Sequence, residues 1–339
     1  MQPGLKVQTL SPGTPPATPS ISAVVPCYNE EDVLDELLRR LRAACEEVVG
    51  DDFEIVLVDD GSRDRTRELL REAQSQDPRI VVVLLSRNHG HQLALTAGLN
   101  IARGKRVFVL DADLQDPPEL LGPMMARMDE GFDVVYGTRR SRAGETRFKL
   151  VTARAFYRLL DRIVDVKIPL DTGDFRLISR RVADILASMP ERHRFIRGMT
   201  SWIGFPQVAF PYDRDVRFAG ETKYPIRKML VFALDAITGF SVLPLRMATA
   251  LGFMFAAFAI IYGGFVLISW ANGAVIAGWT SLALLVLLLG GVQLIMVGVL
   301  GEYVGRLYMQ SKERPLFVID EVLRAPADVR TPDRMAADG

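Results

Sequence analysis

The chain predicts an α/β protein with a mainly parallel sheet, followed by an interfacial helix and a two-helix transmembrane hairpin. Three observations predict it. Short apolar, β-branched runs alternate with helical segments from Ile21 to Leu110, acid-rich residues follow the strand ends, and no charged residue stands between Arg246 and Glu302. Alternation with short connections is what βαβ units produce, and such units cover a parallel sheet with helices.

Composition sets outer limits. The 339 residues carry 41 basic and 41 acidic side chains, so no global charge favours nucleic acid. Cys27 and Cys45 have neither metal spacing nor a disulfide framework and read as core thiols in a reducing compartment. Residues 1–20 hold Pro3, Pro12, Pro15, Pro16 and Pro19 and lack the basic start and apolar core of an export signal. They read as a disordered tail, which keeps the folded part in the cytoplasm.

From Ile21 the expected order is strand 21–26, helix 30–49, strand 54–58, helix 64–76, strand 80–85, helix 92–102 and strand 107–110. Helix 117–130, strand 133–136, a helix at 148–164 and strand 175–178 follow. No Gly-x-Gly-x-x-Gly comes after the first strand and no Gly-Lys-Ser/Thr loop appears, which removes the dinucleotide and nucleoside triphosphatase fingerprints.

The stretch from Arg106 to Glu119 organises the chain. A buried strand ends in Asp111-Ala112-Asp113, and Pro117-Pro118 opens the next helix. If the backbone stays extended, Asp111, Asp113 and Gln115 fall at i, i+2 and i+4 and face one way, three hard oxygen donors suited to a divalent cation and a diphosphate. A turn that only caps the next helix is the plainer alternative. The first strand, however, runs into Tyr28-Asn29-Glu30 and the second into Asp59-Asp60-Gly61-Ser62. Carboxylates at three strand ends on one rim are costly unless a ligand or cation uses them, and the carboxyl edge of an open α/β sheet is where ligands bind.

Together with Asp171-Thr172-Gly173-Asp174-Phe175-Arg176-Leu177, these motifs stand in the order found in family 2 glycosyltransferases. Over residues 21–320 the chain resembles more narrowly the polyprenyl-phosphate glycosyltransferases. The resemblance implies a Rossmann-like GT-A catalytic domain over residues 21–224 that binds a nucleotide-diphosphate sugar. It implies that Pro26, Tyr28 and Glu30 line the nucleoside, that Asp60 contacts the base, and that Asp111, Asp113 and Gln115 surround Mg2+ or Mn2+ and the sugar diphosphate. Asp174 matches the acid proposed as catalytic base. A phosphate acceptor is largely ionised at neutral pH, so Asp174 is expected to orient hydroxyls as much as to take a proton. Arg139 ends a strand on the ligand rim, where a guanidinium fork suits phosphate.

Residues 190–224 interleave arginines with aromatics, a pattern that single-stranded nucleic acid also uses. They lead straight into a membrane segment, so Arg217 and Lys223 are expected at a lipid phosphate instead, and His193 is expected to be structural. Residues 225–246 put Ile226, Met229, Leu230, Ala233, Leu234 and Ile237 on one face with Arg227 and Lys228 opposite, the pattern of an interfacial helix. Spans are expected at 247–270 and 280–301, flanked by Trp270 and Trp279. Basic residues before and after the hairpin put both ends in the cytoplasm, making a multi-pass inner-membrane protein with a cytoplasmic tail at 302–339. Gly263, Gly264, Gly290, Gly291, Gly298 and Gly301 permit close helix packing in a homo-oligomer.

The function implied is an inverting, metal-dependent transfer of a hexose to undecaprenyl phosphate, with UDP-glucose the first choice and mannose or aminoarabinose the alternatives. A processive polysaccharide synthase is disfavoured by two spans and no Gln-x-x-Arg-Trp motif. A non-catalytic nucleotide-sugar-binding adaptor is disfavoured because Asp111, Asp113 and Asp174 are all present.

Overall fold

The computed structural model describes residues 18–140, 172–192, 194–213, 243–273 and 278–325. The expected tail at 1–20 (but for its last three residues), helix at 148–164, interfacial segment up to residue 242, His193, Arg217 and Lys223 lie outside the described residues.

Three strands made almost wholly of apolar residues form the heart of the sheet: β1 (Ile21–Cys27), β2 (Phe53–Asp59) and β3 (Ile80–Leu85), every residue buried. Burial on both faces is what removes the in-out alternation from their sequences. Between them run α1 (Leu34–Val49) and α2 (Thr66–Gln76), and α3 (His91–Ile101) leads to β4 (Arg106–Val109). Leu34, Leu37, Leu38 and Leu41 form the stripe that α1 buries. A 3-10 turn at Pro118–Leu120 then enters α4 (Leu121–Asp129). The remaining elements are β5 (Val134–Arg139), β6 (Thr172–Ser179), α5 (Arg180–Ser188), α6 (Ile196–Ile203), β7 (Gln207–Tyr212), α7 (Leu243–Ala271), α8 (Trp279–Ser311) and β8 (Ile319–Leu323).

The strand order is β7-β5-β6-β4-β1-β2-β3-β8. β3, β2, β1 and β4 are parallel neighbours, β6 runs against β4 and β5, and β8 runs against β3. The order reverses where β1 lies between β2 and β4, so a crevice opens at their carboxyl ends. One side of the sheet packs Phe108 and Phe175 edge to face, with centroids 5.4 Å apart, under α1. Each fully buried phenylalanine contributes about 1.5–3 kcal/mol. On the other side α3 lies so close to the sheet that a Cβ on Gly98 would collide with the Val24 side chain. That seat fixes where the first turn of α3 overhangs the crevice.

Among the described residues the expected strands and helices recur with shifted ends. The first helix begins at Leu34 rather than at residue 30, because Glu30 O accepts both Val33 and Leu34 N–H and residues 30–33 form a turn. Residues 111–115 do not stay extended: β4 stops at Val109 and Leu114 is left-handed at φ 56. The strand expected at 175–178 begins earlier, at Thr172, so that Gly173 and Asp174 lie inside β6. The 302–339 tail is also corrected, since α8 continues to Ser311 and β8 then joins the sheet.

At 29 and 33 residues, α7 and α8 are about 43 and 50 Å long at 1.5 Å per residue, more than the roughly 30 Å of a bilayer core. Their apolar windows are Leu245–Ser269 and Leu288–Ser311, none of it buried. The end of α8 returns to the sheet domain, where Gln310 Nε2 donates to Pro190 O at 2.8 Å and Arg192 donates to Arg314 O. β8 then pairs Val82 with Leu323 and Val83 with Val322, and Arg71 meets Glu321. Deleting residues 319–339 bares the outer edge of β3. The apparent Tm of the detergent-solubilised protein should fall by roughly 4–8 °C, about 2 kcal/mol for a domain of this size, while membrane insertion is retained. Circular dichroism and carbonate extraction check the two halves.

Candidate active site

The carboxyl ends of β1, β2 and β4 and the first turn of α3 enclose a cavity of about 400 Å3. Pro26, Tyr28, Glu30, Asp60, Asp111 and Asp113 line it, with Asn88 and His91. Gln115 and Arg139 are not in this lining. The loops after β1 and β2 are sewn together by Asn29 N–H to Ser62 Oγ (3.0 Å) and Arg63 N–H to Asn29 Oδ1 (2.9 Å). This leaves the Tyr28 ring 41% exposed at the mouth, free to stack on a flat ligand.

Adjacent acids do different work. Asp59 is consumed by its own turn, accepting Gly61 and Ser62 N–H at 3.1 Å and pairing with Arg67 Nε at 2.6 Å. Asp60 accepts His89 N–H at 2.6 Å and Gly90 N–H at 2.9 Å. Burial raises its pKa, and these two donors oppose the rise. Gly61 is required between the two loops: its φ is +71, and a Cβ there would lie 2.5 Å from the Arg87 carbonyl carbon and the Asn88 nitrogen.

After β4, Asp113 Oδ1 accepts Gln115 N–H at 3.2 Å, closing the turn that left-handed Leu114 makes possible. Asp111 Oδ1 is buried without a hydrogen-bond partner, with His91 Nε2 at 3.4 Å. Burial lifts the Asp111 pKa to about 6; His91 eases the rise, and the carboxylates of Asp174, Asp116 and Asp113 add to it. Among the described residues, no three His, Cys, Asp or Glu side chains form a ready-made metal cluster.

Asp174 lies on β6, buried, across from Asp111. Its Oδ1 faces Arg197 Nε at 3.1 Å and Arg176 Nη2 at 3.3 Å, and its Oδ2 faces Gln92 Nε2 at 2.7 Å and His91 Nε2 at 3.2 Å. Burial alone would raise its pKa, but Arg197, His91 and Arg176 hold it well below the usual carboxylate range. About four lone-pair sites serve a carboxylate, and all four directions are taken. Burial works to lower the His91 pKa; the hydrogen bond to Asp174 and the charges of Asp111 and Asp174 override it, taking it to about 9.

Arg139 lies behind this centre. A Cβ on Gly173 would sit 3.3 Å from Arg139 Nη2, a tight approach, and 3.5 Å from Asp116 Oδ2, an ordinary contact, so both groups lie against this glycine. Tyr212 OH donates to Asp116 Oδ1. His91, Gln92, Arg176 and Arg197 were not singled out as site residues from sequence. The signal for the first two was available, because Ser86-Arg87-Asn88-His89-Gly90-His91-Gln92 follows β3 onto the same rim. Arg176 is two residues from Asp174 on one strand and so shares its face.

A parallel-centred sheet whose strand ends gather acids and an exposed tyrosine around one cavity is the architecture of a GT-A glycosyltransferase. The chain belongs to glycosyl transferase family 2: residues 22–186 match that family's model, and residues 243–307 match the GtrB C-terminal hairpin. It is 46% identical to an uncharacterized glycosyltransferase, YkcC, of Bacillus subtilis, over 88% of this chain and 93% of that one. It is 39% identical to the prophage bactoprenol glucosyl transferase homolog of Escherichia coli, over 89% of this chain and 99% of that one. Among solved structures it is similar to glucosyl-3-phosphoglycerate synthase from Mycobacterium tuberculosis in complex with Mn2+, UDP-glucose and phosphoglyceric acid (TM-score 0.42, 21% identity, 65% of this chain and 78% of that one). With a matched hairpin and two long apolar helices, the protein is membrane-associated.

A folded pKa of about 9 against an ordinary 6.5 means that His91 contributes stability fully below pH 6.5 and loses it as pH rises through 9. With 42% of the side chain open to the cavity, water softens the effect. In the presence of a chelator, Tm should therefore fall more steeply from pH 6.5 to 9 in the wild type than in His91→Gln. Equal slopes would remove His91 from the charge balance.

Proposed function

We propose that the protein transfers a hexose from a nucleotide-diphosphate sugar to polyprenyl phosphate at the cytoplasmic membrane face. One observation carries the reading: Asp111, just past β4 in the cavity lining, and Asp174, on β6 behind it, share His91 Nε2 at 3.4 and 3.2 Å, in a chain that also bears the hairpin. In relatives named bactoprenol glucosyl transferase the same length of chain is matched, which supports a polyprenyl acceptor and makes UDP-glucose the first donor to test. The basic residues on either side of the hairpin support a topology with both ends in the cytoplasm. The glycines of α7 and α8 are the surfaces on which copies of the chain would pack.

Tyr28, Pro26 and Glu30 would hold the nucleoside and Asp60 the base. The donor set fits a divalent cation, Mg2+ or Mn2+: the buried Asp111 Oδ1 lacks a hydrogen bond, and the negative charge about it exceeds what His91 offsets. Asp111 and Asp113 would hold the ion, with Gln115 on the turn beside them. Bound there, it would neutralise the diphosphate as it departs. An oxygen of the acceptor phosphate attacks the anomeric carbon as the bond to the diphosphate breaks on the opposite side, so the configuration inverts. Arg139, Arg217 and Lys223 are assigned to phosphate groups. Asp174, already saturated with donors, stays ionised and would orient the acceptor or sugar hydroxyls through the partners it holds, His91 at the cavity wall and Arg197. The acceptor needs no base, since its second pKa is about 6.

Purified protein offered a panel of labelled nucleotide sugars with undecaprenyl phosphate and Mg2+ or Mn2+ should label the lipid from one donor; no transfer from any of them sinks the reading. Asp113→Ala should lower transfer about 100- to 1000-fold, the scale of losing one main electrostatic partner, with membrane insertion unchanged. For Asp174→Asn an orienting role predicts a loss near tenfold, whereas a general base would lose about 100- to 10,000-fold. Single-turnover rates separate the two.

A further inference from the structure

Gln92 stands in the first turn of α3, half-buried and outside the lining of the donor cavity. Its amide is used at both ends. Nε2 donates to Asp174 Oδ2 at 2.7 Å, and Oε1 accepts Ile196 N–H at 3.0 Å. The partners fix which way the amide points, because an ionised carboxylate only accepts and a backbone N–H only donates.

Ile196 is the first residue of α6, and Phe195 before it supplies no side-chain cap. The opening N–H groups of a helix have no partner within it. Gln92 therefore caps a helix 104 residues further along the chain. The same helix carries Arg197, on Asp174 Oδ1 at 3.1 Å, and Thr200, whose Oγ1 accepts Arg176 Nη1 at 3.0 Å. Arg176 in turn reaches Asp174 Oδ1 at 3.3 Å. Three of the four groups around Asp174 thus depend on where α6 sits, directly or through Gln92. The backbone of Gln92 is itself held from behind, since Thr96 Oγ1 donates to the Gln92 main-chain carbonyl at 2.7 Å and the Gly98 seat keeps α3 against β1.

We propose that Gln92 is a positioning residue for Asp174, locking the carboxylate and α6 into one unit. The inference rests on the reading of Asp174 as the group that orients the acceptor. Gln92 acts on the reaction only through that carboxylate. No other side chain of this length offers a donor and an acceptor at once: methionine offers neither, and ionised glutamate keeps the acceptor for Ile196 N–H while setting a like charge against Asp174.

The test compares full-length wild type, Gln92→Met and Gln92→Glu in detergent by two readouts: hydrogen exchange of the amides in residues 194–203, and kcat with donor KM. In Gln92→Met, exchange in α6 should quicken and kcat should fall roughly 10- to 100-fold, the cost of a misplaced group near the reacting atoms. Donor KM should stay within about twofold, because ground-state donor binding is untouched. In Gln92→Glu the exchange should stay near wild type while kcat still falls. A glutamate variant with wild-type kcat would reduce Gln92 to a helix cap and overturn the proposal. Unchanged exchange in Gln92→Met would show no lock and overturn it as well. A wild type that transfers from no donor removes the functional reading instead; the exchange arm then decides the lock by itself, faster exchange in methionine but not glutamate supporting it.

Discussion

Bringing Asp60, Asp111, Asp113, Asp116 and Asp174 to one end of a sheet concentrates like charge, and the surrounding structure depends on how that charge is borne. Two carboxylates 4 Å apart repel by about 1 kcal/mol in water and about 4 kcal/mol at the effective dielectric of a protein site. Three of these acids are settled by different devices. Backbone N–H groups hold Asp60, a tyrosine hydroxyl holds Asp116, and two arginines, an amide and an imidazole surround Asp174. At Asp111, His91 stands 3.4 Å from a buried oxygen that has no hydrogen bond, and burial with the neighbouring carboxylates pushes the pKa up to about 6. An electrostatic deficit at a cavity wall is a feature that a cationic complex relieves on binding.

The fold supplies these devices through backbone positions as much as side chains. Gly98 lets α3 settle onto β1, so that the residues opening α3 overhang the carboxyl ends of the strands. Gly61 lets the loop after β2 touch the loop after β3, so that His89 and Gly90 can turn their N–H groups to Asp60. Charge balance at the site is therefore built from close approaches that a single methyl group would prevent.

Much of this was legible in the sequence. Apolar runs such as Ile80 to Leu85 have one reading, a strand buried on both faces, and the acids following β1, β2 and β4 mark the rim. Three kinds of feature escaped. Local backbone geometry at Leu114 turned an expected extended set of donors into a turn, because periodicity assumes a regular backbone and a left-handed residue breaks it. The partners of Asp174 come from α3, β6 and α6, and their meeting is set by tertiary packing that no local pattern encodes. The strand-end rule, had it been extended to β3, would have reached His91 and Gln92. β8 escaped for a third reason: five residues that are alternately half-buried and exposed resemble any polar tail until a sheet edge is there to receive them.

The positions of β7 and β8 bear on how the protein is made. They are the two edge strands of the sheet, and the whole hairpin lies between them in the chain. Synthesis from the amino end delivers β1 to β7 first, then both apolar helices, and β8 after them. The outer edge of β3 thus stays unpaired on the ribosome until both apolar helices have been made, and the sheet receives its last strand after them. Completion of the sheet is thereby tied to the two apolar helices that precede β8, with an open edge as the hazard for any chain in which β8 fails to dock.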